Sequence, residues 1–293
     1  LCIYSFLLHL RKMKKNIRLW HRDYKVLGIC NLSPHSLTQI ALEHFSTRKK
    51  ANERMKKLFD IGLFNRFPAL CLHEKGRAEY IYITSKNGVK VLLECDIEGL
   101  YAPNNSYKKN NRYKAHINHS LGINQFRIIV EKTYNSDKEI SAKFTYGKQI
   151  IGNALDRCSL RPDAMFILEH KQTKRRLLHF LEIDMGTEFI KKRIATRSSY
   201  SFSDKLKKYI NFFDEEYYKV DFNELSKVNF EGFRLMVVTT SSARTQSIIN
   251  LAKQEEAAFV WATELHNLVT EHFSKNIWLT INNKRSNLTQ IRR

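Results

Sequence analysis

Three acidic residues, Asp163, Glu182 and Asp184, belong to two apolar segments joined by a basic turn. The segments R-P-D-A-M-F-I-L-E-H and L-L-H-F-L-E-I-D-M have the length of strands, and the polar K-Q-T-K-R-R between them predicts a β-hairpin. Pro162 favours the start of a strand at Asp163. In the second strand, the alternation of side chains puts Glu182 and Asp184 on the same face. We therefore expect the three carboxylates to gather at one end of the hairpin.

These carboxylates indicate a metal site. Like charges in an apolar setting are costly unless a cation neutralises them. Oxygen ligands suit Mg²⁺ or Mn²⁺, and such an ion stabilises charge on a phosphate and supplies a hydroxide-like nucleophile. Asp163, Glu182 and Asp184 are thus the predicted metal ligands. For any one of them alone, an ordinary turn or surface carboxylate is the simpler interpretation, but this alternative is weaker for the set.

The set resembles the PD-(D/E)xK phosphodiesterase signature, in which an Asp at a strand start and an acidic residue in the hairpin partner hold Mg²⁺. The third position, usually Lys, is Asp184 in this chain. The resemblance implies that Asp184 is an extra ligand or that the cation comes from elsewhere. Lys205 or Lys208, on the helix after the hairpin, can supply it. The predicted catalytic set is Asp163, Glu182, Asp184 and Lys205.

Several other residues are weaker candidates for the same site. Glu188 follows Gly186 closely, and Glu131 lies on the helix that opens this half of the chain. His119 and Asn124 on that helix are within possible reach of the carboxylates. A solvated or structural role is the simpler interpretation for each of these residues, because isolated charges and helical histidines usually have such roles.

The charge of the chain indicates a polyanionic partner. Fifty Lys and Arg residues against twenty-nine Asp and Glu residues give a net charge of +21. Nucleic acid is the first candidate and a membrane surface the second. The five cysteines form no C-x-x-C pair, which argues against zinc and disulfide frameworks and fits a cytoplasmic location. The apolar run at 1–10 is too short to span a membrane. The start of the protein is expected at Leu1 or at Met13.

The N-terminal part predicts a winged helix-turn-helix over residues 14–98. Helices are expected at 22–31, 37–42 and 48–60, followed by an extended segment at 63–67, a basic loop, a strand at 80–84 and a helix at 86–94. The third helix is basic and amphipathic, and in such a module it enters the major groove while the hairpin contacts the backbone. A solvated surface helix is the alternative. The predicted DNA-binding residues are Arg48, Lys49, Asn52, Arg54, Lys56, Lys75 and Arg77.

Residues 99–114 predict a basic linker, and residues 115–281 predict a second domain. A helix is expected at 115–131, then the hairpin, a helix capped by Ser203, strands at 234–240, 258–262 and 277–280, and a helix at 241–254. Strands that alternate with helices at this spacing predict an α/β (α+β) fold with helices on both faces of the sheet. The resemblance to the PD-(D/E)xK signature implies that this domain has the α/β/α arrangement of a restriction-endonuclease-like nuclease. Residues 282–293 predict a basic tail.

Short motifs in both halves resemble the replication-relaxation family, which includes the MobC-type plasmid mobilisation relaxases. They are H-R-D-Y-K-V-L, M-K-K-L-F-D-I-G-L-F-N-R, Y-I-Y-I-T-S-K-N-G, H-S-L-G-I-N-Q-F, R-P-D-A-M-F, F-L-E-I-D-M-G-T-E and K-L-K-K-Y. The resemblance implies a winged helix that reads double-stranded DNA at a transfer origin. It also implies a metal-dependent nuclease domain that nicks one strand there. A coupling ATPase and other relaxosome proteins are the implied partners.

Two absent motifs narrow the function. The chain has no H-x-H pair, which a His-cluster relaxase would use for its metal, and no G-x-x-x-x-G-K-[ST] motif of an ATP motor. The leading hypothesis is a metal-dependent nickase for plasmid or mobile-element transfer. The alternatives are a non-catalytic DNA-binding regulator of plasmid replication or mobilisation, and a restriction- or transposition-type endonuclease.

Overall fold

The computed structural model describes residues 17–69, 79–95, 112–150, 152–191, 201–226, 229–269 and 273–288. It divides into two compact units, Leu1–Asn124 and Gln125–Arg293. The boundary lies inside a helix that begins at Arg112, so it comes later than the predicted linker at 99–114. Residues 99–111 of that linker lie outside the described residues, whereas 112–114 are helical.

The N-terminal unit has the predicted order of elements, with the additional short strand β1 (His35–Ser36). They are α1 His21–Leu32, β1 His35–Ser36, α2 Leu37–His44, α3 Arg48–Asp60, β2 Phe64–Pro68, β3 Tyr80–Thr84 and α4 Lys86–Glu94. The strands form an antiparallel sheet in the order β1-β3-β2. The hydroxyls of Ser36 and Thr47 cap the backbone amides of α2 and α3, as expected for residues that precede an amphipathic helix. The buried side of α3, with Met55 and Leu58, packs into the core of this unit.

The helix α5, Arg112–Asn135, continues from the N-terminal unit into the C-terminal unit. The further elements are β4 Ile140–Tyr146, α6 Asn153–Arg157, β5 Ala164–His170, β6 Arg176–Asp184, α7 Phe202–Asp214, α8 Tyr217–Ser226, β7 Phe233–Thr239, α9 Ser242–Gln254, β8 Val260–Glu264, β9 Trp278–Thr280 and β10 Arg285–Ser286. The seven strands form one sheet in the order β10-β9-β8-β7-β6-β5-β4. The pairs β6–β7 and β7–β8 are parallel, and the other pairs are antiparallel.

Helices cover both faces of this sheet. On one face, Phe126 of α5 contacts Phe166 with ring centroids 5.4 Å apart and Trp278 with centroids 6.2 Å apart. On the other face, Phe180 packs against Tyr209 and Phe212 of α7 at centroid distances of 6.1 and 6.0 Å. The protein therefore has the predicted α/β fold. Among the described residues, no helix combines the length and the apolar composition needed to cross a bilayer.

Of the helices and strands given above, five were not predicted: β1, β4, α6, α8 and β10. The strand β10 lies within the predicted basic tail at 282–293. The edge strand β4 has the sequence I-S-A-K-F-T-Y, and most of its residues are only partly buried, so no continuous apolar run marks it. The predicted cap of α7 was also wrong. Ser201, not Ser203, caps this helix, and Asp204 completes a capping box with it.

Candidate active site

Asp163 is fixed beside β6 by the register of the hairpin. Ala164 lies opposite Leu181 in the antiparallel ladder. The amide of Asp163 donates to the carbonyl of Leu181 at 3.0 Å, and the amide of Ile183 donates to Oδ2 of Asp163 at 2.7 Å. These two bonds lie on either side of Glu182. The hairpin therefore brings Asp163 and Glu182 together, as the sequence predicted.

Glu182 points to the face of the sheet that α7 covers, and it is 2% exposed. Its Oε2 accepts a hydrogen bond from the Lys205 ammonium at 2.9 Å, and its Oε1 accepts one from the Tyr209 hydroxyl at 2.7 Å. Lys205 and Tyr209 lie one helical turn apart and so emerge on one side of α7. The predicted carboxylate and the predicted lysine are thus in direct contact.

The electrostatics of this pair are those of a buried site. Burial raises the pKa of Glu182 to about 7, the charge of Lys205 works against this rise, and the charge of Asp163 adds to it. Burial also acts to lower the pKa of Lys205, but the charges of the surrounding carboxylates outweigh it and raise that pKa above its ordinary value. A carboxyl group that titrates near neutrality beside an ammonium is a frequent feature of catalytic centres.

Asp184, the third predicted carboxylate, forms a separate ion pair. Its Oδ2 accepts from Nε of Arg244 at 2.7 Å, and its Oδ1 accepts from the amide of Gly186 at 2.9 Å. Gly186 has a φ of 77°, which suits glycine at this tight turn. Arg244 also donates to the carbonyl of Glu188 at 2.6 Å. Asp184 therefore closes the turn after β6, an arrangement that the metal-ligand interpretation did not anticipate.

The donor set for a metal is consequently smaller than predicted. In the described part of the chain, no group of three or more His, Cys, Asp and Glu side chains is gathered closely enough to hold an ion. Asp163 and Glu182 remain adjacent, and Mg²⁺ is often held by one or two carboxylates while waters and substrate phosphates complete its octahedron. The residues present fit such a two-carboxylate site, and the metal itself stays a prediction.

The weaker candidates have contacts of other kinds. Lys208 donates to the carbonyl of Ser159 at 3.2 Å, and its predicted role as the cation stays a prediction. Glu188 is half-exposed, with Oε2 3.7 Å from the Lys205 ammonium. Glu131 pairs with Arg127 at 2.6 Å.

The two candidates on α5 belong to the N-terminal unit. The amide of Asn124 is buried and donates to the carbonyl of Pro34 at 2.6 Å, which gives it a structural role there. His119 is half-buried on the same helix, and its predicted role stays a prediction.

Four of the predicted DNA-binding residues, Arg48, Lys49, Asn52 and Lys56, are exposed on α3. They line a cavity of about 580 Å³ together with Arg66 and Tyr80. The Arg66 guanidinium, which the sequence analysis missed, lies 4.1 Å from the ring centroid of Phe59 and 4.4 Å from that of Tyr80. Lys75 and Arg77 lie outside the described residues.

Arg54 differs from the other predicted DNA-binding residues because it turns inward. Its Nε donates to Oδ1 of Asp23 at 3.1 Å, and its Nη2 donates to the carbonyl of Arg18 at 2.8 Å. Asp23 is fully buried, so Arg54 supplies the charge that compensates it. This internal role argues against a contact between Arg54 and DNA.

Tyr209 and Arg244 contact two of the predicted carboxylates, and the sequence analysis missed both residues. The i, i+4 spacing of Lys205 and Tyr209 was a usable signal for the first. For Arg244, the signal is topological. Asp184 lies opposite Thr239, the last residue of β7, in the parallel ladder. Because α9 begins three residues after β7 ends, the first turn of α9, which carries Arg244, lies near the end of β6.

The sequence pattern of the replication-relaxation family matches residues 29–224. Because the match covers well over half of the chain, the protein belongs to the replication-relaxation family. Membership indicates a role in plasmid replication or mobilisation. The matched segment includes α3, Asp163, Glu182 and Lys205, whereas Arg244 lies beyond it. No curated protein and no solved structure matches the chain.

Proposed function

We propose that the protein binds double-stranded DNA and nicks one strand at the transfer origin of a plasmid or mobile element. The observation that carries the proposal is the contact between Lys205 and the buried Glu182 at 2.9 Å, next to Asp163. This group supplies the two acidic residues and the lysine of the PD-(D/E)xK signature. The lysine comes from α7, and Asp184 occupies the position where the signature usually has it.

Each residue has a distinct proposed role. Asp163 and Glu182 would hold Mg²⁺ or Mn²⁺, which when bound supplies an activated water and stabilises charge on the phosphate. The Lys205 ammonium adds a fixed positive charge where negative charge develops. The Tyr209 hydroxyl holds the Glu182 carboxylate in one orientation. Asp184 is a positioning residue in this scheme, because it is bound to Arg244 at 2.7 Å.

The N-terminal unit would act as a winged helix that delivers the DNA. In such modules the third helix lies in the major groove and the wing contacts the backbone. The exposed Arg48, Lys49, Asn52 and Lys56 of α3 support this role. Arg66 next to them would contact a phosphate. The family resemblance extends the proposal to action in the cytoplasm within a relaxosome, with a coupling ATPase as partner.

The test is incubation of the purified protein with a supercoiled plasmid that carries its own origin region, with Mg²⁺ or Mn²⁺. Wild-type protein is expected to produce open circles, and Asp163→Asn is expected to produce none. Asp156→Asn is the matched control, because Asp156 is an acidic residue of the same unit with its side chain 69% exposed. Equal nicking by wild type and Asp163→Asn would refute the site.

One observation favours a second candidate function, a non-catalytic regulator of replication or mobilisation. Both carboxylate oxygens of Glu182 already have protein partners, Lys205 and Tyr209. In this alternative, the ion pair of Glu182 and Lys205 stabilises the fold and has no catalytic role. This alternative predicts sequence-specific DNA binding without metal and no nicking in any condition. Linear product in the same assay would instead indicate a restriction- or transposition-type endonuclease.

A further inference from the structure

A second cavity lies in the C-terminal unit at the edge of the sheet where the parallel strands begin. It has a volume of about 670 Å³ and is lined by residues at the starts of β6, β7 and β8, among them Arg176, Phe233 and Trp261. The candidate active site lies at the opposite ends of these strands, where Glu182 and Asp184 are found. A cavity of this size accommodates a ligand as large as a nucleotide.

The cavity combines aromatic rings with positive charge. Phe213 and Phe259 stack with centroids 4.8 Å apart, both are only partly buried, and both line the cavity. The Arg234 guanidinium lies 4.2 Å from the ring centroid of Trp261. The charged residues that line the cavity, among those described, are Lys174, Arg175, Arg176, Arg234 and the single acidic residue Glu231.

We infer that this cavity binds an unpaired nucleotide of single-stranded DNA. Surfaces that hold single strands pair basic side chains, which follow the phosphates, with aromatic rings, on which bases stack. A duplex cannot offer a base face to such a ring, because its bases are stacked within the helix. Arg175, on the exposed hairpin turn, would face the phosphates, whereas Lys174 already pairs with Glu169 at 3.3 Å. The face of Phe259 turned away from Phe213 would take the base.

The inference goes beyond the proposed nicking and does not depend on it. A protein that never cleaves DNA can still hold an unpaired strand at this edge of the sheet. If the protein does nick, the cavity offers a place for nucleotides that become unpaired. The measurement is therefore made without divalent metal, and Asp163→Asn is included. A loss of single-strand binding at the cavity can then be told apart from a loss of nicking at the carboxylates.

The experiment measures fluorescence anisotropy of the full chain with a labelled oligothymidylate of about 12 nucleotides, within the usual range of single-strand sites. A probe of the same length whose central nucleotides are abasic is compared with it. Wild type and Asp163→Asn are expected to bind the oligothymidylate about tenfold more tightly than the abasic probe, the difference typical of stacking one base. Phe259→Leu is expected to remove this preference and Phe259→Tyr to keep it.

A second variant tests the charge without touching the packing. Arg175→Ala, on the exposed turn, is expected to reduce the slope of log affinity against log salt by about 0.7, the value for one phosphate of a single strand. Lys253→Ala is the matched control, because Lys253 is an exposed basic residue of the same unit outside the cavity. The inference is overturned if Phe259→Leu keeps the preference for the oligothymidylate over the abasic probe. It is also overturned if Lys253→Ala reduces the salt slope as much as Arg175→Ala does, or if polyglutamate displaces the probe as well as DNA does.

Discussion

Lys205 and Glu182 lie 23 residues apart in the chain, yet the ammonium of one is 2.9 Å from the carboxylate of the other. The contact joins the end of β6 to the first turns of α7. The exposed fraction of the Glu182 side chain is 3% and that of the Lys205 side chain is 20%. Loss of the Lys205 charge would leave the buried Glu182 carboxylate without its cation, which is costly. The pair is therefore the central feature of the candidate active site.

Replacing Lys205 is expected to affect both the rate and the pH profile of nicking. Lys205→Met removes a fixed charge from the site, which typically costs 10²- to 10³-fold in rate. The charge of Lys205 also opposes the rise of the Glu182 pKa to about 7. Without it the pKa of Glu182 rises further, so the pH of half-maximal nicking moves upward. Lys205→Arg should keep part of the activity.

The pH profile of plasmid nicking by these variants is the measurement. Lys208→Met is the control, because Lys208 is a lysine of the same helix whose ammonium donates to the carbonyl of Ser159 at 3.2 Å. An unshifted profile in Lys205→Met would contradict the assignment of Lys205.

The ion pair of Asp184 and Arg244 is expected to stabilise the C-terminal unit. Arg244→Gln leaves Asp184, which is 9% exposed, without its cation, and we expect a loss of about 3 kcal/mol in the free energy of unfolding. Arg244→Lys should recover little, because one ammonium cannot reproduce the guanidinium bonds to both Asp184 and the Glu188 carbonyl. Urea unfolding measures these values.

A double-mutant cycle with Asp184→Asn isolates the pair. A coupling of about 2 kcal/mol is expected for two residues in direct contact. Additive losses would mean that Arg244 acts through its bond to the Glu188 carbonyl alone.

Replacing Arg54 is expected to reduce stability, whereas replacing Lys56 is expected to reduce DNA affinity, although both are basic residues of α3. Arg54→Ala strips the buried Asp23 of its partner, and we expect the N-terminal unit to lose about 3 kcal/mol of stability. Lys56→Ala, on the exposed face, should change stability by less than about 0.5 kcal/mol. It should instead lower duplex affinity and reduce the salt slope by about 0.9.

Thermal unfolding and duplex binding at several salt concentrations separate the two effects. If Arg54→Ala is as stable as wild type but binds DNA poorly, the internal role given to Arg54 is wrong.

His179 is expected to make the C-terminal unit sensitive to acid. Burial lowers the pKa of His179 to about 3, and the charge of Arg234 contributes to the same direction. Because the folded-state pKa lies below the unfolded value, the contribution to stability is complete above about pH 6.5 and is lost as the pH falls toward 3. The loss is on the order of 5 kcal/mol over this window.

His179→Phe should preserve the stack on Phe166, whose ring centroid lies 4.3 Å from that of His179. It should also shift the midpoint of acid unfolding to lower pH. Acid titration followed by circular dichroism measures the midpoint, and an unchanged midpoint would exclude His179 as a source of acid sensitivity.

The strands and helices that carry the site were predictable because their patterns are strong. The alternation in β6 set the face of Glu182, and the capped amphipathic helix after the hairpin supplied Lys205. Arg54 was assigned to the exposed face by its charge, although it lies three residues after Ala51 and four before Leu58, both fully buried. Its spacing indicated the buried side of α3.

The ion pair of Asp184 could not be predicted from local sequence patterns. Its partner Arg244 is 60 residues away and reaches it only because β6 and β7 are parallel neighbours. The edge strand β4 also carried too little apolar sequence to be recognised. In both cases the deciding information is the pairing of strands, which a pattern within one segment does not contain.

The antiparallel ladder that sets Ala164 opposite Leu181 also determines where this hairpin can accept an inserted residue. One residue inserted between Leu178 and Glu182 would rotate Glu182 to the opposite face of the sheet, away from Lys205 and Tyr209. The same insertion in the turn at 171–175 would leave the ladder unchanged. Among natural relatives, variation in length within this hairpin is therefore expected in the turn and not in the strands.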